Sequence, residues 1–128
     1  VGGVAARHPV GIDIEALRPV REGMYRKVAR EVEWALGRED RLTTFFRYWT
    51  AKEAVLKTGG RGLSDLSQCR VTAVPDEACL LVAYRSRIWR VRQCRFDGHV
   101  AAVAGGEQEV AWALPLPEPA PVSGLTPM

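Results

Sequence analysis

Between Arg38 and Gly60 the chain reads REDRLTTFFRYWTAKEAVLKTGG, and this stretch constrains the fold more than any other. At ~100° per residue, Leu42, Phe45, Phe46, Trp49 and Leu56 gather into one stripe of a helix that ends at Gly59 and Gly60. A helix patterned this way has to lay its apolar side on a surface supplied by the rest of the chain. Yet Glu53 falls near the middle of the stripe, with Lys57 one turn further along its edge. An ionised carboxylate is not buried cheaply without a partner, so something cationic is expected opposite it.

The surface is expected to be a sheet. VGGVA and PVGIDIE read as two short strands joined by the turn ARHP; Val10, Ile12 and Ile14 share one face, and Asp13 and Glu15 the other. REGMYRKVAREVEWALG places Met24, Val28, Val32 and Leu36 at helical spacing and stops at Gly37, which predicts a single amphipathic helix. RGLSDL reads as a loop. Strands follow at SQCRVTAV, ACLLVAY and RIWRVRQCRF, and the Asp97–Gly98 pair signals a type I′ hairpin into HVAAVAG. A last strand is expected at EVAWALPL, whereas the proline-rich residues 115–128 read as a flexible tail. The fold class is therefore α+β, an antiparallel sheet packed with two main helices, forming one domain over residues 1–114.

Composition sharpens the function classes. With 128 residues, 47% hydrophobic and 26% charged, the chain fits one small globular domain. No apolar run approaches the ~20 residues of a membrane span and no leader opens the sequence, so a cytoplasmic protein without a membrane partner is expected. Cys69, Cys79 and Cys94 lack metal-ligand spacing and read as reduced core residues. The net charge of +3 is carried largely by arginines, among them Arg85, Arg87, Arg90, Arg92 and Arg95, which suits an anionic partner or a solvated face. No zinc-finger or RNA-recognition signature accompanies them, so nucleic acid is not expected as a partner.

Asp13 and Glu15, one residue apart on a strand face, present four carboxylate oxygens, and Glu53 from a packed helix could complete a site for a hard cation. Magnesium suits such donors and would neutralise Glu53. The plainer alternative is an i,i+4 pair between Glu53 and Lys57, worth a few tenths of a kcal/mol, with Asp13 and Glu15 on an exposed strand face.

VGIDIE together with YWTAKEAVLKTGGRGL resembles the 4′-phosphopantetheinyl transferases, which move phosphopantetheine from coenzyme A to a serine of a carrier protein. The family's strand motif G-[IV]-D-x-[EDQ] matches Gly11, Ile12, Asp13, Ile14 and Glu15. Its helix motif W-x-x-K-E-[AS]-x-x-K matches Trp49, Lys52, Glu53, Ala54 and Lys57, and its glycine turn matches Gly60, Gly62 and Leu63. The resemblance implies that Asp13, Glu15 and Glu53 bind Mg2+, that Glu53 and Lys57 are catalytic, and that Lys52 and Lys57 contact coenzyme A. It implies an acyl or peptidyl carrier protein as acceptor, whose serine proton Glu53 accepts directly or through a metal-bound water. Trp49 reads as core, and His8 and His99 as structural or surface residues. The D-x-E spacing resembles the broad-specificity branch, whose members are tandems of two similar halves, and this chain is similar to the second half. A homo-oligomer that assembles its site between subunits is therefore expected, with a non-catalytic module that binds coenzyme A or a carrier as the alternative.

Overall fold

The structure is a computed structural model and describes residues 10–59, 63–105 and 112. The expected strands at VGGVA and EVAWALPL, His8 and the 115–128 tail lie outside the described residues, apart from Trp112. Strand β1 (Gly11–Ala16) comes first, then helices α1 (Glu22–Val28), α2 (Glu31–Trp34) and α3 (Arg41–Thr58) and a short 3-10 helix (Leu63–Gln68). An antiparallel meander of β2 (Arg70–Asp76), β3 (Cys79–Tyr84), β4 (Arg87–Phe96) and β5 (His99–Ala104) follows. Among the described residues the sheet has five strands in the order β1-β5-β4-β3-β2, so the first strand pairs with the last. The α+β class and the helix-then-meander order expected from the sequence are both present.

Two tight turns set the meander's register. Asp97 and Gly98 both adopt positive φ, as the type I′ reading required. Arg85 and Ser86 do the same between β3 and β4, although neither residue advertises such a turn. Across β1, β5 and β4, Gly11 lines up with Ala104 and Val91, and Asp13 with Ala102 and Gln93. These rows face α3, which lies over β1 and β5 with β4 and β3 beside it. Phe45, Phe46, Val55 and Leu56 from the helix are buried with Leu80, Val82, Val91 and Val100 of the sheet.

Three expectations need correction. The apolar stripe of α3 is not its only buried side: Thr43, Thr44, Arg47, Tyr48, Thr50 and Lys52 are buried too, Arg47 and Thr50 by bonding Gln93 of β4, and Tyr48 and Lys52 by bonding residues of α1 and α2 on the flank away from the sheet. The single helix expected from REGMYRKVAREVEWALG is two, broken at Ala29, which is extended at φ −155° and ψ 158°. There the Val28 carbonyl accepts the Lys52 ammonium and the Ala29 carbonyl accepts the Trp34 indole N–H, so side chains take acceptors that a continuous helix would use. RGLSDL is not wholly a loop, since its described part enters the 3-10 helix and the Asp65 carboxylate accepts the Tyr84 hydroxyl at 2.6 Å.

Candidate active site

The site begins with a missing side chain. A Cβ on Gly11 would stand 1.8 Å from the Ala54 carbonyl oxygen, so only glycine lets the α3 backbone lie this close on β1. Because side chains alternate along a strand, the same close-packed face carries Asp13 and then Glu15. Asp13 is 6% exposed, which removes the reading of these carboxylates as an exposed strand face. Its Oδ1 accepts from Lys57 Nζ at 2.7 Å. Lys57 thus reaches across to the strand, and the plain intrahelical pair with Glu53 is not what forms. The Lys57 side chain is 48% exposed, so its ammonium sits at the open edge of the cluster. Glu15 takes Arg18 Nη1 at 3.2 Å.

Glu53 joins this cluster from the helix side. Burial pushes its carboxyl above the usual glutamate range, and the charges of Asp13 and Glu15 push the same way against the ammonium of Lys57. Burial likewise raises Asp13, opposed first by its bond to Lys57 and reinforced by the nearby charge of Glu15. Asp13 Oδ2 and Glu53 Oε2 are buried and, among the described residues, have no hydrogen-bond partner. Buried carboxylate oxygens are normally paired, so two orphans in one cluster are an unfinished arrangement.

The donor chemistry fits a hard divalent cation. All three groups are carboxylates, and two of their oxygens are desolvated and unclaimed. Among the described residues no group of three or more His, Cys, Asp or Glu is placed to hold a metal ion, so the carboxylates form an open, incomplete set. That openness is compatible with magnesium, which keeps waters and shares its remaining positions with substrate phosphates.

Lys52 is elsewhere. It is 1% exposed, and its Nζ donates to the Val28 carbonyl at 2.5 Å and pairs with Glu33 Oε1 at 2.7 Å. Burial pushes its ammonium below the usual lysine range, with Glu33 opposing. Trp49 is half-buried and stacks on Phe45, 5.8 Å between ring centres, as a core residue would. Sequence reasoning missed Arg18, whose place two residues beyond the strand carried no signal, and Glu33. The Glu33 carboxylate accepts the Arg30 backbone N–H at 2.7 Å, three residues back. A glutamate at that position of a short helix is a recognisable capping signal, but nothing local announced that it would be buried against Lys52.

Residues 9–104 match the 4′-phosphopantetheinyl transferase superfamily, and the chain belongs to it. Over 102 residues it is 37% identical to the 4′-phosphopantetheinyl transferase HetI of Nostoc sp., an alignment covering 74% of this chain and 42% of that protein. The family resemblance carried by VGIDIE and YWTAKEAVLKTGGRGL is therefore borne out, while the chain spans less than half the length of this relative. Among the described residues no helix is long and apolar enough to cross a membrane.

Proposed function

We propose that this chain transfers 4′-phosphopantetheine from coenzyme A to a serine of an apo-carrier protein in a magnesium-dependent reaction. The observation that carries this reading is the pair of orphaned carboxylate oxygens on Asp13 and Glu53, set beside Glu15 and Lys57 where α3 meets β1. Asp13, Glu15 and Glu53 would hold the metal. When bound, magnesium supplies charge neutralisation for the coenzyme A pyrophosphate.

The residues of the chain then divide the work. Glu53, a carboxylate of the cluster with an oxygen unpartnered among the described residues, takes the proton of the carrier serine as the serine oxygen attacks the phosphorus that bears pantetheine. The phosphoanhydride bond breaks and adenosine 3′,5′-bisphosphate leaves. Lys57, half exposed at the rim, turns its ammonium from Asp13 to the departing phosphate. Lys52 takes no part in contacting coenzyme A in this scheme, because its ammonium is enclosed and already bonded.

A second reading is a binding module without turnover, which docks coenzyme A or a carrier protein. We favour a homo-oligomer with the carboxylates beside the subunit contact, acting in the cytoplasm. Incubating the chain with coenzyme A, magnesium and an apo-carrier, then weighing the carrier, tests the proposal. A mass gain of one phosphopantetheine is expected, lost with chelator and restored by magnesium. Unmodified carrier together with measurable coenzyme A binding would establish the module instead. Sedimentation over the same concentrations should show activity falling as the assembly dissociates, and a fully active monomer would remove the oligomer from the proposal.

A further inference from the structure

Glu33 lies outside the carboxylate cluster, is 2% exposed, and has both carboxylate oxygens bonded. Its Oε2 accepts the Arg30 N–H, while its Oε1 accepts both the Val71 N–H at 2.9 Å and the Lys52 ammonium at 2.7 Å. Its backbone carbonyl accepts the Tyr48 hydroxyl at 2.7 Å. Lys52 carries the connection on to the Val28 carbonyl. One buried residue therefore ties α2 to β2 and to two successive turns of α3, since Tyr48 and Lys52 are four residues apart.

Such a pair is not needed for stability. Taking two charges out of water costs enough that a well-packed apolar pair often holds a fold as well or better. What directional bonds add is a fixed rotation and a fixed translation of the helix. On its sheet side α3 is bonded through Arg47 and Thr50 to Gln93 of β4, but beside Glu53 it lays Ala54 against Gly11 of β1, a close backbone contact with no side chain on the strand to interlock with it. Glu53 follows Lys52 directly, about 100° further round the helix, on the side that meets Asp13. A small rotation of α3 would carry Glu53 away from Asp13.

We infer that Glu33 and Lys52 form a positioning pair that holds Glu53 in register with Asp13, and that Lys52 does not touch coenzyme A. The inference rests on the proposed transfer for what Glu53 does, and on the geometry alone for where Glu53 is held. The test compares wild type with the Glu33→Gln/Lys52→Met double variant, which removes both charges together. The double variant should unfold near the wild-type temperature, keep KM for coenzyme A within about twofold and lose roughly tenfold or more in kcat, as a small misplacement of a reacting group does. Its crystal structure should show the Glu53 carboxyl displaced from Asp13. Restored stability with wild-type kcat would overturn the inference and leave the pair a purely structural one. A raised KM at unchanged kcat would also overturn it, returning Lys52 to the coenzyme. If wild type transfers nothing, the functional reading fails, and the crystal structure alone decides: Glu53 and the Lys57–Asp13 bond unmoved would refute positioning. Should the double variant not fold, Tyr48→Phe removes a single hydroxyl from the same network. It should lower kcat several-fold at constant KM, and an unchanged kcat would overturn the inference.

Discussion

Lys52 and Glu53 are neighbours in the chain with opposite surroundings. On the Lys52 side, the charges lie in a closed network in which Glu33, Val28, Val71 and Tyr48 satisfy one another. On the Glu53 side, carboxylates from β1 and α3 crowd together, and two of their buried oxygens are left without a partner among the described residues. Both sides bury charge, but only the first has completed its hydrogen bonding. A closed network is what a fold needs in order to hold a helix, whereas an open one is destabilising until something else arrives. The difference therefore separates a scaffold from a site more sharply than burial or charge does.

The largest effect expected from breaking this contrast is on the open side. Glu53→Gln should reduce transfer by roughly 10²-fold or more, the usual contribution of a positioned base. Thermal unfolding of that variant without metal should be unchanged or improved, because it removes a carboxylate that burial and its neighbours disfavour. Undiminished transfer would remove Glu53 from the mechanism, and a large loss of stability would make the two sides alike.

On the closed side, Lys52→Met should destabilise the fold by about 3–5 kcal/mol, since it strands the buried Glu33 carboxylate. Chemical denaturation measures this, and a loss below about 1 kcal/mol would mean that Glu33 is satisfied without its lysine. Gly11→Ala addresses the contact between the two sides. Its new methyl runs into the Ala54 carbonyl, so α3 must lift off β1 at a cost of about 1–3 kcal/mol, taking Glu53 away from Asp13. Calorimetry and the transfer assay should fall together in this variant, and a neutral result would show that the close approach is dispensable.

The smallest effect belongs to the helix start, far from either charged side. Asp40 caps α3 by accepting the Thr43 N–H at 3.0 Å and the Thr43 hydroxyl at 2.7 Å, and these bonds hold its carboxyl below the usual aspartate range. A depressed folded value means that the stabilisation is complete above the unfolded value, near 3.8, and is lost as pH falls through the lower folded value. Asp40→Ala should cost about 1 kcal/mol at neutral pH, with the difference from wild type vanishing in strong acid. A gap that persists in acid would mean that the cap acts through something other than its charge.

How much of this was legible depended on whether the signal was local. The D-x-E alternation put Asp13 and Glu15 on one face because a strand has period two, and that held. Helical spacing placed Glu53 and Lys57 on the same side of one helix, and that held too. Spacing could not say that Lys57 would bond Asp13 of the strand in place of Glu53, because the choice depends on how close α3 lies to β1. The periodicity of Met24, Val28, Val32 and Leu36 misled for a related reason. Val32 is exposed, and the helix breaks where Lys52 and Trp34 claim the backbone carbonyls of Val28 and Ala29.

By itself, then, the sequence determined the family, the α+β order of elements, the hairpin at Asp97–Gly98 and the residues that supply the carboxylates. Each of these is written in short-range patterns of side-chain type and spacing. Only the tertiary structure decided that Lys52 is sealed against Glu33 while Glu53 is left facing Asp13 with an unclaimed oxygen. Two residues side by side carry no local instruction about which will be satisfied. That depends on what α2 and β2 bring to one flank of the helix and what β1 brings to the other.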